Sequence, residues 1–311
     1  MKRDVAWRIP TSFVDLLASP CHRARLAAVG GDEPLKCTAC GRMFSAHNGV
    51  YDLRLSKTSD VASSFDHQWR RYHQGDFERT TLYGADAAAE MAGFMRAMDC
   101  GPEAIRGRWI LDAGCGSGRL AKSLAELGAN VVGLDLSGEI RRLGSSASDN
   151  LNFVQADLMH PPFAPGSFDL VWSMGVLHHT GAPRRGFEQL AGLVAPGGSL
   201  AVWLYSSGRR SIFLALRRWL PMARGLPEAQ MRRLCGWLAW PLFIGGVLAP
   251  LMGRKPLSLA TIRFGLYDSL GPRYQSRHST EEVLDWYRAA GFSQMRVWSA
   301  LGVCGDREAP R

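Results

Sequence analysis

From Arg108 onward the chain alternates short apolar runs with amphipathic stretches. Trp109-Ile-Leu-Asp112 reads as a buried strand, a helix is expected from Arg119 to Leu127, and Val131-Val-Gly-Leu-Asp135 reads as the next strand. Further strands are expected at Asn152–Asp157, Phe168–Ser173 and Leu200–Tyr205, with a helix from about Arg184 to Val194 before a Pro196-Gly-Gly turn. Strands alternating with helices at this spacing predict a parallel sheet with crossover connections. Ser279-Thr-Glu-Glu282 caps a last helix that ends at Gly291, and Gln294 to Ala300 reads as a terminal strand. Residues 57–107 read as helical, with Ala85 to Met98 dense in Ala and Met, and the short Gly-punctuated runs of residues 1–56 predict a small β-rich leader. The expected organisation is a leader (1–56), a helical linker (57–107), a doubly wound, mostly parallel α/β domain (108–205 with 279–311), and an insertion (206–278).

Composition adds limits. The 311 residues, 46 % hydrophobic and 21 % charged, suffice for one large α/β domain and an appendage. The opening Met-Lys-Arg-Asp-Val-Ala-Trp-Arg has no apolar core of a secretory signal, and seven scattered cysteines suit reduced thiols in a cytoplasm. The net charge is +9, and its location is informative. Between Ser206 and Ser279 twelve Arg and Lys face only Glu228 and Asp268, a local +10 that leaves the rest of the chain near neutral. The same segment holds twenty uncharged residues, Leu234 to Gly253, between Arg232-Arg233 and Arg254-Lys255. That length would span a bilayer. However, Pro241, Pro250 and the glycines at 236, 245, 246 and 253 disfavour one straight helix, and the last helix and strand must return to the same sheet. A re-entrant hairpin or helical lid is expected instead, with Ile212–Leu220 patterned as an interfacial helix. Such a lid would either dock peripherally on an anionic membrane or cover a soluble acceptor with its arginines solvated. Nucleic acid is the weaker expectation, since no tract interleaves basic with stacking aromatic residues.

Leu111-Asp-Ala-Gly-Cys-Gly-Ser-Gly118 sets three alternate glycines between a strand and a helix, where a ligand must approach the backbone closely. A dinucleotide fingerprint would put its third glycine at position 119, which is Arg119, so a dehydrogenase is disfavoured. Asp112 before the loop suits a cationic ligand. Asp135 ends the second strand about twenty residues on, where a carboxylate can take both ribose hydroxyls, and Asp157 ends the third, placed for an adenine amino group. One such Asp could be a turn cap. Three successive strand ends behind a glycine loop point to a ligand.

Asp112-Ala-Gly-Cys-Gly-Ser-Gly118, Asp135, Gln155-Ala-Asp157, Phe168-Asp-Leu-Val171 and Leu193-Val-Ala-Pro-Gly-Gly198 resemble class I S-adenosylmethionine-dependent methyltransferases of the small-molecule type, over residues 85–205 and again 279–300. The resemblance implies a seven-stranded sheet with a reversed last strand and S-adenosyl-L-methionine as cofactor. It implies that the loop of Gly114, Cys115, Gly116 and Gly118 holds the methionine moiety and that Asp135, with Leu136 beside it, holds the ribose. Asp157 and Leu158 would hold the adenine, and Met174 would line the sulfonium pocket. The implied acceptor is a small or lipid-like molecule. An rRNA base methyltransferase and a non-catalytic cofactor-binding scaffold are the alternatives.

A base is needed only where the acceptor must lose a proton. His178 and His179 follow the fourth strand and are the candidates, a packing role being the alternative for either. Arg277-His278 is a second polar pair, expected as a loop before the last helix. Cys21, Cys37 and Cys40 resemble a zinc-ribbon leader whose first knuckle has decayed to Cys21-His-Arg-Ala24. A structural zinc would need a fourth ligand: His22, sterically awkward beside Cys21, or the more distant His47. A hairpin without metal is the alternative.

Overall fold

A computed structural model of the chain describes residues 12–29, 34–56, 60–74, 86–207, 212–223, 226–246 and 257–309. Its centre is a parallel set of strands: β6 (Trp109–Ala113), β7 (Asn130–Asp135), β8 (Leu151–Gln155), β9 (Phe168–Met174) and β10 (Val194–Trp203). Every residue of β6 is buried, as a strand covered by helices on both faces must be. α3 (Ala87–Met98), α5 (Arg119–Glu126), α6 (Pro183–Ala191) and α10 (Thr280–Ala289) supply the covering layers, with Leu120, Ala121 and Leu124 of α5 meeting Phe94 and Val131 on one face. At the carboxyl edge, β11 (Phe292–Ser299) and β12 (Gly302–Arg307) complete the order β8-β7-β6-β9-β10-β12-β11, with β12 antiparallel between its neighbours. The expected terminal strand is therefore followed by a further one. β6 has β7 on one side and β9 on the other, so successive crossovers run in opposite directions from it. A crevice opens at the carboxyl ends of these strands.

Two features differ from the sequence reading of the domain. First, the leader is joined to the main sheet. β1 (Leu26–Ala28), β2 (Leu35–Cys37) and β3 (Met43–Phe44) form a separate antiparallel sheet, while β4 (Ala46–His47) and β5 (Val50–Asp52) extend the main one. β5 pairs in parallel with β8 (Tyr51 with Val154, Asp52 with Gln155), which makes nine strands rather than seven among the described residues. Leu16, Leu35, Phe44 and Leu53 share one core with Leu111 and Phe163. Burying these side chains against the sheet, at roughly 25 cal/mol per Å², holds a leader too small to form a core alone. Second, α6 stops at Ala191, and Val194 already pairs with Phe168. Pro196, which has no N–H to donate, sits in the irregular part of β10 between Val194 and Ser199.

The insertion folds as α7 (Ile212–Trp219), α8 (Glu228–Gly246) and α9 (Leu259–Leu270). α9 packs against both others, and Met231, Cys235 and Ala239 meet Ile262, Leu266 and Leu270 in a separate small core. α8 runs through Pro241 and is described as far as Gly246. The carbonyl that loses its partner is that of Trp237, on the outward face where solvent can reach the backbone. Residues 247–256, including Pro250, Gly253 and Arg254-Lys255, lie outside the described residues. Among the described residues no helix is long and apolar enough to cross a membrane. α2 (Asp60–Gln74) packs on α9, with Trp69 against Phe264, and together they roof the crevice.

Candidate active site

The loop after β6 is tied to β7 by the N–H groups of Gly114 and Cys115, which both donate to the Leu134 carbonyl, at 2.7 and 3.0 Å. Gly114 and Gly116 have φ of +88° and +52°. A side chain at Gly114 would collide with Val176, and one at Gly116 with the indole of Trp69 on α2. Both positions therefore need glycine for conformation and for close approach. Gly116 and Gly118 lie under neighbouring side chains and do not line the crevice, whereas Gly114 and Cys115 do.

The crevice is a cavity of about 840 Å³. At one end are Asp112, Asp135 with Leu136, and Asp157 with Leu158. Asp112 is 5 % exposed, and its carboxyl makes no hydrogen bond among the described residues. Burial first, then the charges of Glu90 and Asp135, holds its carboxyl well above the usual range. Asp135 accepts from the N–H of Gly116 (2.9 Å) and of Ser137 (2.8 Å). Burial nonetheless raises its carboxyl to about 6. Glu90 on α3 is paired with Arg119 at 2.7 Å. Asp157 accepts from the Met159 N–H at 2.9 Å, so it also caps its turn. This end of the cavity concentrates buried carboxylates and leaves Asp112 without a partner, which a cation would relieve.

Met174 lines the middle of the cavity, at the end of β9. His179 lies at the far end, 3 % exposed. Its Nδ1 is 3.2 Å from the Tyr274 carbonyl, and its Nε2 is buried with no partner. Burial lowers its pKa, so the ring is neutral and Nε2 carries the lone pair. Tyr205 and Asp268, which share a hydrogen bond, line the same end. His178 is fully buried, does not line the cavity, and stacks on Tyr205 at 3.9 Å, the packing role given above as its alternative. On the 3-10 turn Leu177–His179 the two imidazole centroids lie 4.2 Å apart, and of the two only His179 lines the cavity. His278 also lies outside the cavity, between Ser276 Oγ (2.8 Å) and Glu282 Oε1 (2.9 Å).

Phe65, Gln68 and Trp69 of α2, Glu90 of α3, and Phe264 and Asp268 of α9 line the cavity without having been marked by the sequence. Asp268 had a signal, being with Glu228 one of two acids in a basic and apolar insertion. The α2 residues had none.

In the leader, ligand atoms of Cys21, His22, Cys37 and Cys40 all lie within 4.8 Å of one another, with Cys21 and Cys40 Sγ 3.8 Å apart. A hydrogen bond with the Ser19 hydroxyl is the main cause that brings the Cys37 thiol down to about 6, towards the thiolate a metal needs. His47 is outside this group, its Nε2 3.4 Å from Ser45 Oγ, so the fourth group is His22.

Residues 111–202 match the family described as "Methyltransferase domain". Over residues 111–202 the fold, loop and match are those of a class I S-adenosylmethionine-dependent methyltransferase domain. A demethylmenaquinone methyltransferase of Clavibacter sepedonicus is 27 % identical over 61 % of this chain and 68 % of its own length. A ubiquinone biosynthesis O-methyltransferase of Cronobacter sakazakii is 36 % identical over 35 % of this chain and 47 % of its own. The match thus spans about half the length of that relative. Among solved structures, a Burkholderia thailandensis 1,6-didemethyltoxoflavin-N1-methyltransferase aligns over 89 % of this chain and 99 % of its own, at 17 % identity and a TM-score of 0.46. The cofactor of this class fits the cavity: Asp112 is an orphaned carboxylate facing it, and the Gly114 cradle admits no side chain.

Proposed function

We propose that the chain methylates an apolar small-molecule or lipid-like acceptor at a proton-bearing atom. The observation that carries this reading is a single cavity joining the carboxylate end, at Asp112 and Asp135, to His179, Tyr205 and Asp268 under an apolar roof. S-adenosylmethionine, when bound, supplies a methyl group on a sulfonium, ready for in-line displacement.

The rest is the work of this chain. Asp112 takes the cationic part of the cofactor, Asp135 offers its remaining lone pairs to the ribose hydroxyls, and Asp157 with Leu158 borders the adenine. Gly114 and Cys115 bring backbone close to the methionine moiety, and Met174 lines the path to the acceptor. Trp69 and Phe264 exclude water and hold the acceptor near attack distance, which supplies much of the rate. His179 receives the acceptor's proton at Nε2, its tautomer set by the Nδ1–H donated to Tyr274. The charge of Asp268 favours the protonated ring, opposing the effect of burial. Two relatives named for quinone metabolism make a quinone-like ring a suitable acceptor class.

The leader cysteines with His22 hold a structural zinc in this reading, since they offer four N/S ligand atoms within 4.8 Å of one another. All seven cysteines are unpaired, in keeping with a cytoplasmic protein. The test is release of S-adenosylhomocysteine with a panel of phenolic quinone precursors. Turnover that is lost in His179→Gln is expected. Cofactor binding without turnover of any phenol, amine or lipid would favour a scaffold instead.

A further inference from the structure

The outer face of the insertion is built in an unusual way. Along α8, Arg233, Trp237, Trp240 and Ile244 recur at the spacing of one helical face, and that face points to solvent. Trp237 is 82 % exposed and Ile244 65 %. The opposite face, through Met231, Cys235 and Ala239, is already satisfied by α9. The exposed tryptophans are therefore not required by the lid's own core.

Beside them is a second hollow, of about 490 Å³, lined by Arg232, Arg233, Gly236, Trp237, Trp240 and Arg263. None of the three arginines has a carboxylate partner among the described residues, and Arg263 Nε is buried with no hydrogen bond at all. Three unneutralised guanidinium groups around one hollow repel one another unless an anion joins them. Arginine forks match phosphate oxygens in geometry as well as charge. Aromatic and aliphatic side chains beside those forks have the character of groups that enter the headgroup boundary of a bilayer.

We propose that this hollow seats the phosphate headgroup of an anionic phospholipid, so that the outer face of α8 docks the lid on a membrane surface. Docking of this kind stands apart from the methyl-transfer reading and needs no assumption that the acceptor is itself a lipid.

The test is cosedimentation of the full chain with phosphatidylcholine vesicles and with vesicles that also contain phosphatidylglycerol, followed by tryptophan fluorescence. The expected result is binding to the anionic vesicles only, weakened by salt, with a blue shift that Trp237→Ser/Trp240→Ser abolishes. Arg232→Gln/Arg233→Gln, at two exposed positions, should bind on the order of thirtyfold more weakly, about fivefold for each basic side chain at an anionic surface. Titration of the same variant with S-adenosylhomocysteine should be unchanged, which separates docking from misfolding and from failure of the cofactor site. The proposal is overturned if the chain ignores anionic vesicles, binds neutral ones equally, or keeps full binding in the arginine variant. Preference for an RNA oligonucleotide over the vesicles, or capture of inorganic phosphate without vesicle binding, also overturns it.

Discussion

Asp112→Asn removes one charge and almost no volume from the end of β6. In the ligand-free chain the Asp112 carboxyl is buried, has no hydrogen bond, and faces the charges of Glu90 and Asp135. Its folded-state pKa is raised, so the folded state holds that proton more tightly than the unfolded one, and stability falls as pH rises through the raised value. At neutral pH the amide should therefore stabilise the empty protein, by about 1 kcal/mol or a melting shift of about 2 °C for a chain of this size. Cofactor binding should move the other way. A hydrogen-bonded pair between carboxylate and cation contributes about 1.5–3 kcal/mol, so affinity should drop by roughly 10- to 150-fold. Differential scanning fluorimetry and calorimetric titration with S-adenosylhomocysteine read the two effects independently. A variant that binds within twofold of the parent would refute the role given to Asp112, and a lower melting temperature would refute the claim that its charge strains the empty site.

Affinity for S-adenosylhomocysteine should depend on pH with a definite sign. Burial raises Asp135 to about 6 and pushes Asp112 in the same direction, and the ligand requires both ionised. Affinity should fall once pH drops to about 6, by about tenfold per unit below it for each proton taken up, and a flat profile down to pH 5 would contradict this. His179→Gln should lower kcat by about 10²–10⁴-fold with cofactor affinity unchanged, and the acidic limb of the parent's rate profile should lie below the ordinary histidine value, since burial lowers this ring. His178→Phe should keep kcat and gain about 1 kcal/mol of stability, because both ring nitrogens are buried without partners and the stack on Tyr205 persists; a loss of kcat comparable to that of the His179 variant would restore His178 to the mechanism. The purified chain should carry stoichiometric zinc by mass spectrometry that Cys37→Ser abolishes, with S-adenosylhomocysteine binding retained, and a chain that takes up no zinc on reconstitution would leave the leader a metal-free hairpin.

The parts of the site legible in the sequence were those placed by local rules. Asp112, Asp135 and Asp157 end successive parallel strands, and such ends converge on one side of a sheet whatever the details of packing. Local rules do not reach contacts between distant segments. Nothing in Val50–Asp52 marks β8 as its partner, so the leader reads as separate until the pairing with Val154 and Gln155 is seen. Trp69 has no distinguishing pattern within α2, yet its indole is what excludes a side chain at Gly116. His178 and His179 are identical in sequence terms, and a short 3-10 turn separates their fates.

The central claim is that the cavity beside Asp112 and Asp135 is a site for S-adenosylmethionine, and calorimetric titration of the purified chain with S-adenosylhomocysteine tests it most directly. Saturable binding at one site per chain, strongly weakened in Asp112→Asn, is the predicted result. No heat with S-adenosylhomocysteine, together with saturable binding of NADH, would contradict it.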